Sequence, residues 1–236
     1  MIAKGGKSVY GASVGILMLD ARFPRIPGDM GNALTWPFPV HYRIVRDASP
    51  DLVVRHKAEG MLDAFIDAAR DLVRDGVDGI TTNCGFLSLF QDELARAVPV
   101  PVVTSSLMQV EMVNRFLPVG KRAGVLTISA STLTQDHLTR ARVPDGTPIG
   151  TTEGGQEFTR AILDNELTLD VEKARVDNVE AAMAMKEAHP ELGALVLECT
   201  NMCPYAADIQ AATGLPVYSI VSLVSWFQAG LAPPRY

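Results

Sequence analysis

The stretch LGALVLECTNMCPYAADIQAATGLPVYS, residues 192–219, carries the clearest fold signal in this chain. Its opening run is apolar, which predicts a buried strand that ends in Cys199. Residues 204–214 have the pattern of a helix, and LPVYSI, residues 215–220, has that of the last strand. A buried strand, a helix and a second strand in this order are typical of a parallel sheet covered by helices.

The stretch VDGITTNC, residues 77–84, repeats this pattern in the other half of the chain. It is also a buried strand that ends in a cysteine, Cys84, and a helix and a proline-led strand follow it. Strand and helix patterns alternate through most of the remaining sequence. We therefore predict an α/β fold with two pseudo-symmetric lobes, each a parallel sheet flanked by helices, and an active site in the cleft between them.

The boundary between the two lobes is predicted near residues 118–120. The first lobe then comprises residues 1–117 and about 215–236, because we expect the last strand and helix to return to it, and the second comprises residues 118–214. The segment 20–45 is rich in proline, so we predict that it is a long loop. Loops of this length inside a compact domain are usually functional.

The composition limits the class of protein. The chain has 236 residues, of which 47% are hydrophobic and 20% charged, and this is enough apolar material for a packed core. The net charge of −6 is spread along the sequence without a basic cluster, so nucleic acid is not expected as a partner. No apolar run approaches the roughly 20 residues that span a membrane, and three cysteines in no disulfide pattern favour a cytoplasmic protein with reduced thiols.

The two strand-end cysteines suggest a chemistry. In parallel α/β sheets, ligands bind beyond the carboxyl ends of the strands, and Cys84 and Cys199 each occupy such an end. If the two lobes face each other, the sulfurs meet across one cleft. One thiolate could then remove a proton from a substrate carbon while the opposite thiol supplies one to the other face. This two-base scheme requires neither a metal ion nor an organic cofactor.

Other interpretations of the cysteines stay open at this stage. Cysteine is among the most buried residue types, so a cysteine at a strand end is often a packing residue. Cys203 has no counterpart in the first half, and we interpret it as structural. A zinc site at Cys199 and Cys203 would need further cysteine or histidine ligands, and the four histidines show no ligand spacing.

Two segments, residues 197–219 and TTNCGF at residues 81–86, resemble the cysteine segments of the aspartate/glutamate racemase superfamily. In that family the second segment has a strand that ends in Gly-Cys-Thr, a proline a few residues later, and a helix that leads to a Pro-Val strand. The resemblance implies a two-lobed α/β fold, a homo-oligomer (a dimer) and a cofactor-independent racemase or epimerase. It also implies a substrate carbon made acidic by a neighbouring carboxylate or carbonyl.

The resemblance also implies roles for individual residues. Cys84 and Cys199 would be the two acid/base residues. Thr200 and Asn83 would donate hydrogen bonds to the substrate carboxylate. Backbone amides that follow each cysteine, at Gly85 and Asn201, would help to hold an enolate-like transition state.

Further donors could come from Thr104 and Ser105, which lie with Ser106 at the end of the predicted strand PVPVVTSS. Ordinary helix capping explains these hydroxyl groups equally well.

The sequence departs from the family pattern at the first cysteine, where Asn83 precedes it and Gly85 follows it in place of Cys-Asn-Thr, and in two further places. Glu198 stands where glycine usually precedes the second cysteine. Strand alternation points its side chain away from the face of Cys199, so a solvent-facing or salt-bridged carboxylate is as plausible as a tuning role. The loop at residues 20–45 offers Arg22, Arg25 and Asp29, and an arginine there could clamp a carboxylate.

The leading hypothesis is a racemase or epimerase, an isomerase, that acts on an amino acid or a related small carboxylate by proton transfer between Cys84 and Cys199. A maleate-type cis-trans isomerase, or another reaction on the same fold, is the first alternative. A non-catalytic small-molecule-binding protein is an alternative of another class, but it leaves the paired cysteines unexplained.

Overall fold

The computed structural model describes residues 5–234. Its strands are β1 Val14–Leu19, β2 Val40–Val45, β3 Gly79–Thr82, β4 Val102–Val103, β5 Arg122–Thr127, β6 Ile149–Thr151, β7 Leu192–Leu197 and β8 Val217–Tyr218. Its α-helices are α1 Pro50–Arg55, α2 Leu62–Asp75, α3 Gln91–Ala97, α4 Val110–Phe116, α5 Gln135–Arg140, α6 Phe158–Leu163, α7 Val171–Ala188, α8 Ala206–Thr213 and α9 Ile220–Leu231. None of the helices in the described range is long and apolar enough to cross a membrane.

The strands form two sheets with matching topology. The first has the order β2-β1-β3-β4 and the second the order β6-β5-β7-β8, and all their pairings are parallel. β3 and β7 therefore occupy equivalent positions. The predicted α/β fold with two pseudo-symmetric parallel sheets is confirmed.

The long segment at residues 20–45 is only partly a loop. It contains β2, an edge strand that pairs with β1 in register from Val14–Val40 to Leu19–Val45. The prediction of a loop throughout was wrong at this point, because the prolines end at Pro39 and the next six residues are free to pair. The sequence analysis also missed α1, which Ser49 caps by accepting a hydrogen bond from the Leu52 amide.

Apolar side chains explain how the helices cover the sheets. On α2, Phe65, Ala69 and Leu72 are fully buried at helical spacing. The helix is capped at its C-terminus by Gly76, which has a φ of 124° and donates its N–H to the Leu72 carbonyl.

The C-terminal elements divide between the two sheets. β8 pairs with β7 and extends the second sheet. The following helix α9 packs Ile220, Val224 and Phe227 against Val14 and Ile16 of β1. Helix α9 thus returns to the first sheet and β8 does not, whereas the predicted division places both in the first lobe. The division into lobes stays a prediction, and its residues 1–4 and 235–236 lie outside the described residues.

Candidate active site

Two equivalent strand ends build the site. Cys84 follows β3 and Cys199 follows β7, and each cysteine leads into a six-residue 3-10 turn, Gly85–Phe90 or Thr200–Tyr205. The Thr200 hydroxyl donates to the Asn83 carbonyl at 2.6 Å, so the second turn is hydrogen-bonded to the residue that precedes Cys84. Both cysteines are therefore held at the junction of the two sheets.

Both thiols line one cavity, whose volume is about 20 Å³. This is room for about one water molecule, so the lining must move apart to admit a substrate. Its apolar lining consists of Leu19, Phe23, Pro50, Val54, Phe86, Ile128, Ile162 and Leu163. Its other lining residues are Arg25, Asn83, Cys84, Gly85, Glu198, Cys199, Thr200 and Asn201.

The Cys84 thiol is 8% exposed. Burial raises its pKa to about 12, and the charge of Glu198 adds to the rise. The backbone amides of Phe86 and Leu87 and the Arg25 guanidinium act in the opposite direction. Cys84 is thus a buried thiol with three groups placed to stabilise its thiolate.

The Cys199 thiol has more negative surroundings. Burial raises its pKa well above the ordinary value, and the charges of Glu198, Cys84 and Cys203 raise it further. The Asn201 amide favours its thiolate, and the thiol donates to the Asn201 side-chain oxygen at 3.6 Å. A thiolate therefore forms less readily at Cys199 than at Cys84.

Glu198 is a buried carboxyl group. It has no exposed surface and, among residues 5–234, no salt-bridge partner, so the solvent-facing and salt-bridged interpretations were wrong. Its Oε2 accepts from the Thr127 hydroxyl at 2.7 Å, whereas its buried Oε1 has no hydrogen-bond partner within the described chain. Burial raises its pKa to about 7.

Gly85 provides the space for that carboxyl group. A Cβ atom built on Gly85 would collide with Oε1 and with the backbone oxygen of Glu198. The glycine that follows the first cysteine is therefore required by the acid that precedes the second. This contact crosses from one lobe to the other.

Arg25 is the cationic side chain of the cavity lining. Its guanidinium donates to Asp29 at 2.9 Å and lies over the Phe23 ring, 4.6 Å from the centroid. Asp29 also accepts from the Asn201 side chain at 2.6 Å. The segment that sequence analysis singled out thus places an arginine in the cavity and links it to the residue that contacts Cys199.

The predicted substrate-binding residues divide into two groups. Asn83, Gly85, Thr200 and Asn201 line the cavity. The hydroxyl proton of Thr200 is already directed to the Asn83 carbonyl, and the Asn201 side-chain amide already donates to Asp29.

Thr104 and Ser105 are not among the cavity-lining residues in the described part of the chain. The Thr104 hydroxyl donates to the Gln91 side chain at 2.8 Å, and Ser105 caps the next turn by accepting from the Leu107 amide. Their predicted substrate contacts therefore have no geometric support, because both hydroxyl groups stabilise local structure.

Sequence analysis missed the aromatic and aliphatic residues that close the cavity. Phe86 packs edge-on against buried His137, with the ring centroids 5.0 Å apart. Pro50 and Val54 reach the cavity from α1. The signal for α1 was present, since Ser49-Pro50-Asp51 is a helix start with a capping serine and a proline at the first position.

Cys203 lies in a separate apolar cluster with Trp36 and Val221, as expected for a packing residue. Residues 5–234 contain no group of three or more histidine, cysteine, aspartate or glutamate side chains placed to hold a metal ion.

Comparison with solved structures identifies the fold. Glutamate racemase RacE1 from Bacillus anthracis aligns with 94% of this chain and 84% of its own, with a TM-score of 0.61 and 14% identity. Unliganded arylmalonate decarboxylase aligns over 95% of this chain and 94% of its own, with a TM-score of 0.56 and 15% identity. The fold predicted from the resemblance to the aspartate/glutamate racemase superfamily is confirmed.

Sequence comparison decides the family. No family model matches the chain. A dimethylsulfoniopropionate lyase from Durusdinium sp. clade D is 30% identical over 233 residues, which cover 95% of this chain and 77% of the relative. The chain belongs to the dimethylsulfoniopropionate lyase family. Within this family, dimethylsulfoniopropionate lyase 5 from Emiliania huxleyi (strain CCMP1516) is 29% identical over 229 residues, and this chain covers only 44% of its length.

The family's name denotes a lyase, and the sequence analysis expected an isomerase. The members of the dimethylsulfoniopropionate lyase family and the structural neighbours thus share a fold but carry the names of different reactions.

Proposed function

We propose that this chain is a lyase that eliminates dimethyl sulfide from dimethylsulfoniopropionate or a close analogue. The cavity that contains Cys84, Cys199 and Arg25 carries this proposal, together with the name of the relatives. The ligand would be a propionate with a sulfonium group on the carbon β to the carboxylate. The carbon next to the carboxylate carries the proton that is removed. The β carbon carries the sulfonium group, which leaves as neutral dimethyl sulfide.

The elimination needs one base. The base takes the proton from the carbon adjacent to the carboxylate, and the C–H electron pair forms a carbon–carbon double bond. The bond from the β carbon to sulfur breaks, and its electron pair leaves with neutral dimethyl sulfide. Acrylate remains, and the proton stays on the base until solvent removes it.

Cys84 is the base in this proposal. The amides of Phe86 and Leu87 and the Arg25 guanidinium favour its thiolate, whereas Cys199 has one such group, the Asn201 amide, to oppose its burial and the charge of Glu198. A thiolate whose conjugate thiol has a raised pKa is also a stronger base, which suits a weakly acidic carbon. Cys199 remains protonated and donates a hydrogen bond to the developing negative charge.

Arg25 would hold the substrate carboxylate. Its guanidinium is already oriented by Asp29 and by the Phe23 ring, so little side-chain freedom is lost when a carboxylate binds. The Asn83 side-chain amide is a second donor, because its oxygen is fixed by the Leu19 amide at 2.7 Å. Charge on the carboxylate increases as the proton leaves, and these donors stabilise it there.

Product analysis tests this proposal. The purified, reduced protein is incubated with dimethylsulfoniopropionate, dimethyl sulfide is measured by gas chromatography and acrylate by NMR, and Cys84→Ser and Cys203→Ser are assayed in parallel. We expect equal amounts of both products from the wild type and from Cys203→Ser, and none above background from Cys84→Ser. A folded wild-type protein that forms neither product would contradict the proposal.

Racemisation or epimerisation of a small carboxylate is the second candidate, and one observation favours it. Two thiols contributed by opposite lobes line the same cavity, and an elimination requires only one of them. In this reaction Cys84 and Cys199 would exchange a proton with opposite faces of one carbon.

Hydrogen exchange in D₂O separates the two candidates. A racemase incorporates deuterium at the carbon next to the carboxylate in amino acids, hydantoins or small dicarboxylates, and it loses that activity equally in Cys84→Ser and Cys199→Ser. A lyase gives acrylate with dimethylsulfoniopropionate and no such exchange with the panel. The first result would replace the lyase proposal.

A further inference from the structure

One carboxyl oxygen of Glu198 has no hydrogen-bond partner among residues 5–234. Oε2 accepts from Thr127, and the Ile128 amide also favours the ionised carboxylate. Oε1 is buried and, over the described residues, has no hydrogen-bond partner. An unpaired carboxylate oxygen in a buried site is costly, so its retention beside a cavity points to a ligand.

The position of Glu198 places this oxygen among the reacting groups. It lines the same cavity as both thiols, and its charge raises the pKa of each of them. Gly85, directly after Cys84, has no side chain that could separate Oε1 from the turn that carries Cys84.

The charged groups around the cavity are few. Cys84 faces Glu198 from the first lobe, Cys199 is its neighbour on the second, and Arg25 reaches the cavity from the loop after β1. Asp29 is neutralised by its ion pair with Arg25. Glu198 is therefore the acidic side chain that lines the cavity, and the remaining walls are largely apolar and aromatic.

A ligand with both a carboxylate and a cation matches this arrangement. The carboxylate pairs with Arg25, and the cation needs a negative group in an apolar setting. We propose that Glu198 is the specificity-determining residue that pairs with the cationic onium group of the substrate, and this inference rests on the proposed function for its ligand chemistry.

The pairing also explains how a thiolate arises beside a carboxylate. Burial, together with the negative charge of Glu198, whose own pKa is about 7, keeps the thiols protonated in the free protein. A bound onium cation offsets that charge, so the pKa of Cys84 falls when a cationic substrate is present. A carboxylate of the same shape with an uncharged group in place of the onium group leaves the repulsion between Glu198 and the thiolate in place, so it binds without activating the thiol.

Two ligands of the same shape test the proposal without catalysis. One is 3-(trimethylammonio)propionate, the onium ligand. The other is its carbon analogue, 4,4-dimethylpentanoate, in which carbon replaces the charged nitrogen. Binding of both is measured by calorimetry at about pH 6 and about pH 8, on either side of the pKa of Glu198. The proteins are wild type, Glu198→Gln, and Glu157→Gln as a matched change at a buried carboxylate outside the cavity lining.

For the wild type and Glu157→Gln, we expect the affinity for the onium ligand to rise about tenfold or more with pH, and the affinity for its carbon analogue to fall or stay level. In Glu198→Gln, we expect the affinity for the onium ligand no longer to rise with pH, while the carbon analogue still binds. An equal loss of affinity for both ligands in Glu198→Gln, or an unchanged preference for the onium ligand, would overturn the inference.

The outcome is separable from that of the proposed function. Release of dimethyl sulfide together with an unchanged cation preference in Glu198→Gln would contradict the role of Glu198 and leave the lyase proposal standing. Absence of the products together with a Glu198-dependent cation preference would contradict the lyase proposal and support a cation-binding role.

Discussion

The ends of β3 and β7 are equivalent in position and different in chemistry. Each strand ends two residues before a cysteine, and each cysteine leads into a 3-10 turn of six residues. On the first side, Cys84 is followed by Gly85 and faces Arg25 and two backbone amides. On the second, Cys199 is preceded by Glu198, which fills the space that Gly85 leaves.

The two sheets therefore match in topology, whereas the residues beside their cysteines give the two sides different chemical environments. The repeated strand ends bring two thiols to one cavity, and the residues beside them make the thiols unequal. A thiolate forms more readily on the first side than on the second, and the second side supplies a carboxyl group and a neutral thiol. One proton acceptor and one counter-ion suit an elimination better than two interchangeable bases do.

The largest expected effect comes from removing the two thiols one at a time. We expect Cys84→Ser to lower kcat for elimination at least about 10³-fold, since general bases contribute up to about 10⁴-fold. We expect Cys199→Ser to lower it less, by about 10²-fold, because that thiol only donates a hydrogen bond. Steady-state kinetics measure both, with Cys203→Ser as the control near wild type. Equal losses in both variants would indicate interchangeable bases.

The second effect concerns the cost of burying Glu198. Its pKa is raised from 4.5 to about 7 in the folded protein, so the folded state keeps a proton that the unfolded state loses. The wild-type free energy of unfolding should therefore fall by about 3 kcal/mol as the pH rises from 4.5 to 7, and stay level above that.

In Glu198→Gln this contribution disappears, so the free energy of unfolding of the variant minus that of the wild type should grow over the same pH range. Urea titrations at several pH values measure it. A difference that does not change with pH would show that the carboxyl group titrates normally.

The third effect tests the space between the two sides. Gly85→Ala introduces a Cβ atom into Glu198 Oε1 and its backbone oxygen, and overpacking of this kind destabilises a protein by about 1–3 kcal/mol. Gly230→Ala is the matched control, because nothing lies within 4 Å of its Cβ position. Thermal unfolding compares the two. A Gly85→Ala protein as stable as Gly230→Ala would contradict the close approach of Gly85 and Glu198.

The smallest effect concerns the cation of the first side. Arg25→Lys retains the charge beside Asp29 but loses the forked geometry for a carboxylate, so we expect KM to rise about tenfold with a smaller change in kcat. Steady-state kinetics over substrate concentrations from below KM to saturation separate the two constants. If Arg25→Lys changed kcat alone, Arg25 would act on the thiolate and not on the substrate carboxylate.

The sequence was sufficient to predict the features that depend on local pattern. The buried strands that end in Cys84 and Cys199 follow from apolar runs, and the repeat of that pattern predicted two matching sheets. The environment of Glu198 could not be predicted in this way. Alternation applies within a strand, but β7 ends at Leu197, so Glu198 lies beyond it and is buried by Gly85 from the other lobe.

Two other differences have equally local causes. β2 was missed because the prolines before Val40 dominate the composition of its segment. Thr104 and Ser105 stand at a strand end, as binding residues often do, but their hydroxyl groups already have partners in Gln91 and Leu107.

In the proposed elimination, the Cys84 thiolate takes the proton and Cys199 does not. The most direct test is the deuterium isotope effect on kcat/KM for dimethylsulfoniopropionate labelled at the carbon next to the carboxylate, measured by acrylate formation in the wild type, Cys84→Ser and Cys199→Ser. We predict an effect clearly greater than unity in the wild type, a slower reaction with a similar effect in Cys199→Ser, and no acrylate above background from Cys84→Ser. Acrylate formation by Cys84→Ser at the wild-type rate would contradict the account.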